Sequence, residues 1–287
     1  MTTAVARRPS RDRAFPAAAE IAALAAHCLE LEVCTFPKPG LVSARDSGSH
    51  LDMDVDTFRQ SAAAIRPYFE ALAEAGAQGC AMGRLRVIGL EAEAAMLAAT
   101  RGVNTHRGAI FGLGLLCAAA GARANRQVDR TMSLGAIVVR QWAPDILEGP
   151  TLLHSHGGAA RRRYGAGGAC VEAARGFPSV YGIGLPALES GARMADGDGE
   201  AARVQACFVL IASLEDTNLL HRGGPAGLSF AQDAARRFLD AGGVGRAGWR
   251  ARAAAVHRAF VARRLSPGGS ADLLAMSLFV QAREAEG

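Results

Sequence analysis

The chain has 287 residues, of which 50% are hydrophobic and 21% charged, and its formal net charge is +5. These values are typical of a globular protein and allow one large helical domain or two small domains. The mild positive excess suits an anionic small molecule. With only 2 Trp and 3 Tyr, the chain has few of the aromatic platforms that single-strand nucleic-acid binders use, so we expect no nucleic-acid partner.

The sequence also predicts where the protein works. No secretory signal opens it, no C-x-x-C occurs among its six cysteines, and its longest apolar stretch, 109–120, is too short to span a bilayer. We therefore expect a cytoplasmic protein with no membrane partner. Residues 1–14 are predicted to be a flexible tail, and residues 15–287 a single helical catalytic domain. A homo-oligomer is left open.

Helical periodicity dominates from residue 17 onward. Predicted helices cover 17–33, 57–76, 86–102 and 105–121, and further helical segments follow to 285. Thr57, with Gln60 three residues later, is read as a capping box, and Pro67 predicts a kink or a break in that helix. One helix is predicted through 199–220. Since strand-like alternation is hard to find, we predict an all-α fold with a single compact domain of about ten helices.

The segment FPKPGLVSARD, residues 36–46, is stiff because two prolines flank Lys38 and a glycine follows. A stiff, extended chain could present Lys38 and Arg45 as fixed cations. A solvated loop explains the same residues about equally well.

The segment SGSHLDMDVD, residues 47–56, concentrates negative charge. Acids favour helix starts, and this explains Asp56 beside the predicted helix. Asp52 and Asp54 exceed what a helix start needs, and alternate side chains of an extended chain share one face with His50. Mg²⁺ is commonly held by one or two carboxylates together with substrate phosphates, so these acids could bind a metal and a nucleotide.

The segment GVNTHRGAIFGLG, residues 102–114, predicts a helix start capped by Asn104 or Thr105. His106 and Arg107 then lie in the first turn, where positive charge opposes the helix dipole. An anion bound at the helix N-terminus would remove this conflict, and we favour a site there.

Basic residues and glycines also crowd HSHGGAARRRYGAGG, residues 154–168. His156, Tyr164 and one or two arginines of 161–163 could contact a phosphate, although a solvated basic turn is a fair alternative. Zinc is disfavoured, because no H-E-x-x-H or cysteine partner accompanies the histidines. Glu172, in an otherwise apolar helix, is a candidate acid that could instead pair with Arg175.

The segment LIASLEDTNLLHRGG, residues 210–224, is interpreted as the end of a helix. His221 and Arg222 suit the dipole of a last turn, whereas Glu215 and Asp216 oppose it, so with Asn218 they could face a ligand or cation.

The segment LSPGGSADLLA, residues 265–275, has Ser270 as a natural N-cap and Asp272 in the first turn. Pro267 and the two glycines after it could equally form a backbone nest for an anion. A polyphosphate with a divalent cation would satisfy all of these cationic and acidic segments together.

Five of these segments, in this order, resemble the triphosphoribosyl-dephospho-CoA synthase family: EVCTFPKPGLVSARDSGSHLDMD, GVNTHRGAIFGLG, HG followed by RYGAGG and EAARGFP, LEDTNLLHRGG and LSPGGSADLLA. They span Glu32 to about Ala275. The resemblance implies an all-helical enzyme that moves the triphosphoribosyl group of ATP to the 2′-hydroxyl of 3′-dephospho-CoA and releases adenine. The product would be passed to a transferase that modifies the acyl-carrier subunit of malonate decarboxylase or citrate lyase.

Roles for individual residues follow from that implied reaction, with Mg²⁺ accompanying ATP. The hypothesis assigns the following residues: metal ligands Asp52, Asp54, Asp216 and Asp272; catalytic groups Glu32, Asp54, Glu215 and Asp216, with Glu32 or Glu215 as the base; and substrate contacts Lys38, Arg45, His50, His106, Arg107, His156, Tyr164, Asn218, His221 and Ser270. Alternatives are a metal-dependent nucleotide or ADP-ribose hydrolase on a helical fold, and a non-catalytic nucleotide-binding partner of an acyl-carrier assembly.

Overall fold

A computed structural model describes residues 16–149 and 168–285 of the chain. These residues contain eleven α-helices and no strand, which confirms the predicted all-α fold. In chain order the helices are α1 (Pro16–Cys34), α2 (Val55–Ala77), α3 (Met82–Ala99), α4 (Arg107–Ala124), α5 (Leu134–Glu148), α6 (Gly168–Ala174), α7 (Leu185–Met194), α8 (Gly199–Ser213), α9 (Thr217–Asp240), α10 (Trp249–Ala262) and α11 (Gly268–Glu284). The predicted tail, 1–14, lies outside the described residues.

Two apolar clusters form the core and share α11. One cluster joins α1 to α6 and includes Phe69 and Trp142, and the other joins α7 to α10 and includes Phe208. The last helix contributes Phe279 to the first cluster and Leu274 to the second. Helix α11 therefore packs against both apolar clusters and lies where the two clusters meet.

Glycine allows helices α2 and α4 to pack in close contact. A Cβ on Gly76 would lie 1.9 Å from the carbonyl oxygen of Ala118, and a Cβ on Gly121 would lie 1.9 Å from that of Ala73. Any larger residue would force the two helices apart.

The helix predicted through 199–220 is in fact two helices. The chain leaves the helical conformation after Ser213, and Asp216 becomes the N-cap of α9. The interpretation that Glu215 and Asp216 oppose a dipole is therefore wrong, since acids are favourable at a helix start. Helix α9 is kinked at Gly224, where the backbone is not helical (φ 60°, ψ −164°). His221 and Arg222 therefore lie in the last turn of the short segment of α9 before the kink, as predicted.

The start of α2 also differs from its prediction. Its N-cap is Asp54, whose side chain accepts from the backbone of Thr57, so the capping box begins three residues earlier than predicted. Asp56 lies in the first turn, as expected. The helix continues through Pro67 without a break.

Two further differences concern the second half of the chain. Ser270 is not an N-cap, because α11 already begins at Gly268. Helix α7, preceded by one π-helical turn at Val180–Gly184, was missed because its sequence is short and contains a proline. None of the described helices is long and apolar enough to cross a membrane.

Candidate functional site

A cavity of about 1140 Å³ lies where the two core clusters meet. Ten of the predicted site residues line it, namely Glu32, His50, Asp52, His106, Arg107, Glu215, Asp216, Asn218, His221 and Asp272. Lys38, Arg45, Asp54 and Ser270 are not among its lining residues. His156 and Tyr164 lie outside the described residues. The fold therefore brings most of the predicted residues together around one space.

Lys38 and Glu32 form an ion pair inside the protein. Both side chains are almost fully buried, and Lys38 Nζ contacts Glu32 Oε1 directly. Burial raises the pKa of Glu32, and the nearby Lys38 charge partly opposes this rise. Lys38 neutralises a buried carboxylate at the back of the cavity, and in this arrangement its ammonium does not reach into the cavity as a phosphate ligand.

The loop that carries Lys38 is held by His257 from α10. His257 Nδ1 lies 2.7 Å from the carbonyl oxygen of Lys38, and Nε2 lies 3.1 Å from Asp46 Oδ1. His257 is buried. This residue was not predicted, because only the folded chain brings α10 against a loop more than 200 positions earlier. Arg45 in that loop is exposed, with its guanidinium 5.7 Å from the centre of the Phe36 ring.

His50 lies at the cavity wall in a defined tautomer. Its Nδ1 is 3.2 Å from Arg222 Nη2, and its Nε2 is 2.9 Å from Ser266 Oγ. A guanidinium can only donate, so Nδ1 accepts and Nε2 carries the proton. Burial, and then the Arg222 charge, lower the pKa of His50 to about 4 despite the exposed Asp52 at 3.9 Å. His50 is therefore neutral at pH 7.

Asp54 is exposed and serves the start of α2. Its Oδ1 accepts from the Thr57 N–H at 2.8 Å and from the Thr57 hydroxyl at 2.7 Å. These bonds from Thr57 lower the pKa of Asp54. The catalytic and metal roles of Asp54 stay predictions, but the structure gives its carboxylate a capping role away from the cavity.

Asp216 ties the starts of two helices together. Its Oδ1 accepts from the N–H groups of Asn218 at 2.9 Å and Leu219 at 3.3 Å, and its Oδ2 accepts from the N–H of Ser270 at 2.8 Å and its hydroxyl at 3.0 Å. Burial raises the pKa of Asp216, and these hydrogen bonds oppose the rise. Asp216 thus fixes the N-terminus of α11 beside that of α9.

Asp272 occupies the anion position at the start of α4. The Ala109 N–H hydrogen-bonds its carboxyl group. A Cβ on Gly108 would lie 2.0 Å from Asp272 Oδ2, so this approach requires glycine. Burial, and then the charges of Glu32 and Asp216, raise the pKa of Asp272 well above its usual range. At this helix start, where the sequence predicts a bound anion, the structure places the carboxyl group of Asp272, and its raised pKa favours the protonated form.

Arg107 and His106 both find partners that the sequence did not reveal. Arg107 forms an ion pair with Glu93 of α3. His106 is buried, and its Nδ1 lies 2.7 Å from Ser61 Oγ. Among the described residues, nothing hydrogen-bonds His106 Nε2. Burial, and then the Lys38 charge, lower the pKa of His106 to about 3, so this ring is neutral and cannot bind a phosphate by charge.

Glu215 and His221 are exposed on the cavity wall, with Asn218 partly buried between them. Glu172 also lines the cavity, and its two oxygens accept from the Ser179 N–H at 2.7 Å and hydroxyl at 3.0 Å. Burial raises the pKa of Glu172. Glu215 therefore offers an accessible carboxylate, whereas Glu172 is held by a turn.

The residues that the structure describes do not assemble a protein-only metal site. Across 16–149 and 168–285, no group of three or more His, Cys, Asp or Glu side chains is arranged to hold a metal ion. Both oxygens of Asp216 already accept hydrogen bonds, and Asp272 packs against α4. These residues do not fit a resident Mg²⁺, and the predicted metal roles stay predictions about an ion that arrives with ATP.

Comparisons with known proteins show which family the chain belongs to. A family model described as CitG, ATP:dephospho-CoA triphosphoribosyl transferase, matches residues 18–287. The chain belongs to this transferase family. It is 43% identical over 262 residues to 2-(5′′-triphosphoribosyl)-3′-dephosphocoenzyme-A synthase of Pectobacterium atrosepticum, covering 88% of this chain and 85% of that protein.

Two proteins named as probable synthases of the same kind are similar over more of their length. One, from Stutzerimonas stutzeri, is 42% identical and covers 93% of each chain, and the other, from Pseudomonas putida, is 39% identical and covers 95% of this chain and 98% of its own. No solved structure matches the chain. The resemblance carried by the five segments is thus confirmed for the family, and the cavity is its candidate active site.

Proposed function

We propose that this protein transfers the triphosphoribosyl group of ATP to the 2′-hydroxyl of 3′-dephospho-CoA and releases adenine. The observation that carries the proposal is that the one cavity gathers residues from four distant parts of the chain, around His50, Arg107, Glu215 and Asp272. These are four of the five segments that resemble the family, and Glu172, in the described part of the remaining segment, also lines the cavity. A reaction between two nucleotides needs such a space, with acids and cations on its walls.

The transfer breaks the bond between C1′ of the ATP ribose and N9 of adenine, and forms a bond from C1′ to the 2′-oxygen of the acceptor. Positive charge develops on the ribose as adenine leaves, so carboxylates beside it lower the barrier. The acceptor hydroxyl must lose a proton, and the departing adenine must gain one.

Two carboxyl groups on the cavity wall have environments suited to these different tasks. Glu215 is exposed and can take the hydroxyl proton as general base. Asp272 has a raised pKa because of burial and the neighbouring charges of Glu32 and Asp216, so it can hold a proton for adenine. Glu32, the other candidate base, is engaged by Lys38 and fits this role less well.

The triphosphate would enter with Mg²⁺ as part of the substrate, since the described residues do not form a resident metal site. Mg²⁺ retains waters and is held by substrate phosphates with one or two carboxylates, so the exposed carboxylate of Asp52 on the cavity wall could contact it. Arg107 and Arg222, both on the cavity wall, supply positive charge near the phosphates.

The product would be the precursor of the prosthetic group on the acyl-carrier subunit of malonate decarboxylase or citrate lyase. A second transferase would then attach it to that subunit. Incubation of the product with each carrier subunit and its transferase, followed by mass spectrometry of the carrier, distinguishes the two systems.

The test of the proposal measures adenine release from ATP and Mg²⁺ with and without 3′-dephospho-CoA, together with the mass of the product. We expect adenine release to require dephospho-CoA, and Glu215→Gln to lower kcat by about 100-fold or more. Glu189→Gln, an exposed acid away from the cavity, is the matched control. Adenine release that does not require the acceptor would refute the proposal and favour a hydrolase, and ATP binding without turnover would favour a non-catalytic partner.

A further inference from the structure

The cavity has a second, chemically different end. Beyond Glu93 and Arg107 it continues between α3 and α5. The residues of α3 that line it are Met82, Leu85, Arg86, Gly89, Leu90 and Glu93, and from α5 they include Ile146 and Leu147. We call the region of the cavity that is bordered by Met82 and Leu90 of α3 and by Leu147 of α5 the apolar arm.

The α3 residues recur every three or four positions, so they form one continuous stripe along that helix. From Met82 to Glu93 the stripe is about 16 Å long at the rise of an α-helix. Leu90 is 51% exposed and Leu147 is 57% exposed, although both are large apolar residues. Two exposed leucines facing one cavity are expected to be covered by an apolar ligand segment.

From this geometry we infer that the apolar arm binds the pantetheine chain of the acceptor, while the polar end of the cavity holds the triphosphate and the two reacting riboses. This inference rests on the proposed function. The cavity of about 1140 Å³ is larger than the roughly 300–1000 Å³ typical of a site for one small ligand, as a site for two nucleotide substrates requires.

The shape and chemistry of the arm favour pantetheine over a purine. Pantetheine is a chain of about a dozen single bonds, whose extended length of about 14 Å matches the stripe. An adenine ring would be expected to find aromatic faces, whereas the residues of α3 and α5 that line the arm include no aromatic side chain. The aromatic residues that line the cavity, Phe58, Phe111 and Phe177, come from other parts of the chain. Arg86 donates to the carbonyl oxygen of Asp145 at 3.1 Å, so its guanidinium is tied to the end of α5.

Gly89 offers a direct way to fill the arm. A Cβ on Gly89 would meet nothing within 4 Å, and the same is true of Gly83 on the same helix. Gly89 lines the cavity and Gly83 does not. Gly89→Leu therefore obstructs the arm, and Gly83→Leu is a control with the same change in side chain and helix propensity.

The experiment measures Kd by calorimetry for 3′-dephospho-CoA and for ADP, which is dephospho-CoA without its pantetheine chain, and KM for ATP in the adenine-release assay. In Gly89→Leu we expect the Kd for dephospho-CoA to rise about tenfold, as for the loss of one buried apolar group. The Kd for ADP and the KM for ATP should stay within about twofold, and Gly83→Leu should match the unmodified chain.

A second pair of variants protects the test against misfolding of Gly89→Leu. Leu90→Glu puts a charge at the arm, and Val87→Glu, 45% exposed and outside the cavity, puts the same charge on the same helix. Only Leu90→Glu should weaken dephospho-CoA binding.

Each alternative outcome would contradict the inference. Equal weakening of ADP and dephospho-CoA, or a raised KM for ATP, would mean that the arm holds a nucleotide, and unchanged binding in both cavity variants would mean that it holds neither substrate. Binding of dephospho-CoA that depends on Gly89, without adenine release, would refute the proposed function and leave the inference standing.

Discussion

The buried ion pair between Lys38 and Glu32 makes a prediction whose size follows from the structure. Both side chains are almost completely removed from water, at 1% and 6% exposure. Lys38→Met leaves the Glu32 carboxylate buried without a counter-charge. Breaking a buried pair in this way costs about 3–5 kcal/mol of the free energy of unfolding, so we expect a loss of that size at pH 8.

The loss should depend on pH in a definite direction. Burial already raises the pKa of Glu32 with Lys38 present, and removing Lys38 raises it further. A carboxyl group whose pKa is higher in the folded than in the unfolded protein favours folding most at low pH and loses that contribution as pH rises through the folded pKa. The Lys38→Met loss should therefore shrink when unfolding is measured at pH 5 instead of pH 8.

Urea unfolding followed by circular dichroism measures these free energies. The control is Arg236→Met, which breaks an exposed pair with Asp233 and should cost no more than about 1 kcal/mol. The double variant Lys38→Met/Glu32→Leu should recover most of the loss, since apolar replacements of a buried pair are often neutral. A Lys38→Met loss below about 1 kcal/mol, or one that does not vary with pH, would refute the reasoning.

Three further predictions concern the site. Asp54→Ala should lower the midpoint temperature of thermal unfolding through loss of the α2 cap. Full activity in this variant would exclude the metal role predicted for Asp54. Gly108→Ala should lower kcat in the adenine-release assay by displacing Asp272, whose Oδ2 would lie 2.0 Å from the new Cβ; unchanged kcat would show that the position of Asp272 does not matter. The pKa of His50 is lowered to about 4, below the value of about 6.5 expected in the unfolded chain, so the folded protein loses stability as the pH falls from 6.5 towards 4. His50→Gln should make this loss of stability smaller over the same pH range. An unchanged pH profile of the free energy of unfolding would contradict the lowered pKa.

Local sequence patterns predicted most of the fold. The helical period, the lack of alternation and the glycine ends of helices depend on neighbouring residues, so they are visible in the chain itself. The errors concern helix ends, where a neighbouring residue can serve as the cap or where the break between two helices is short. Asp54, and not Thr57, is the N-cap of α2, because its carboxylate accepts hydrogen bonds from both the N–H and the hydroxyl of Thr57. The break between α8 and α9 is only three residues long, so it does not interrupt the helical period of apolar residues in the sequence.

The sequence by itself determined the all-helical class, the family, and a set of residues most of which line one cavity. Only the tertiary structure decided what each of those residues does. Lys38 faces Glu32, Arg107 faces Glu93, and Asp272 takes the anion position at α4 that the sequence assigned to a ligand. The physical reason is that a buried charge takes its partner from whatever element packs against it, and that packing depends on the whole fold and not on the neighbouring sequence.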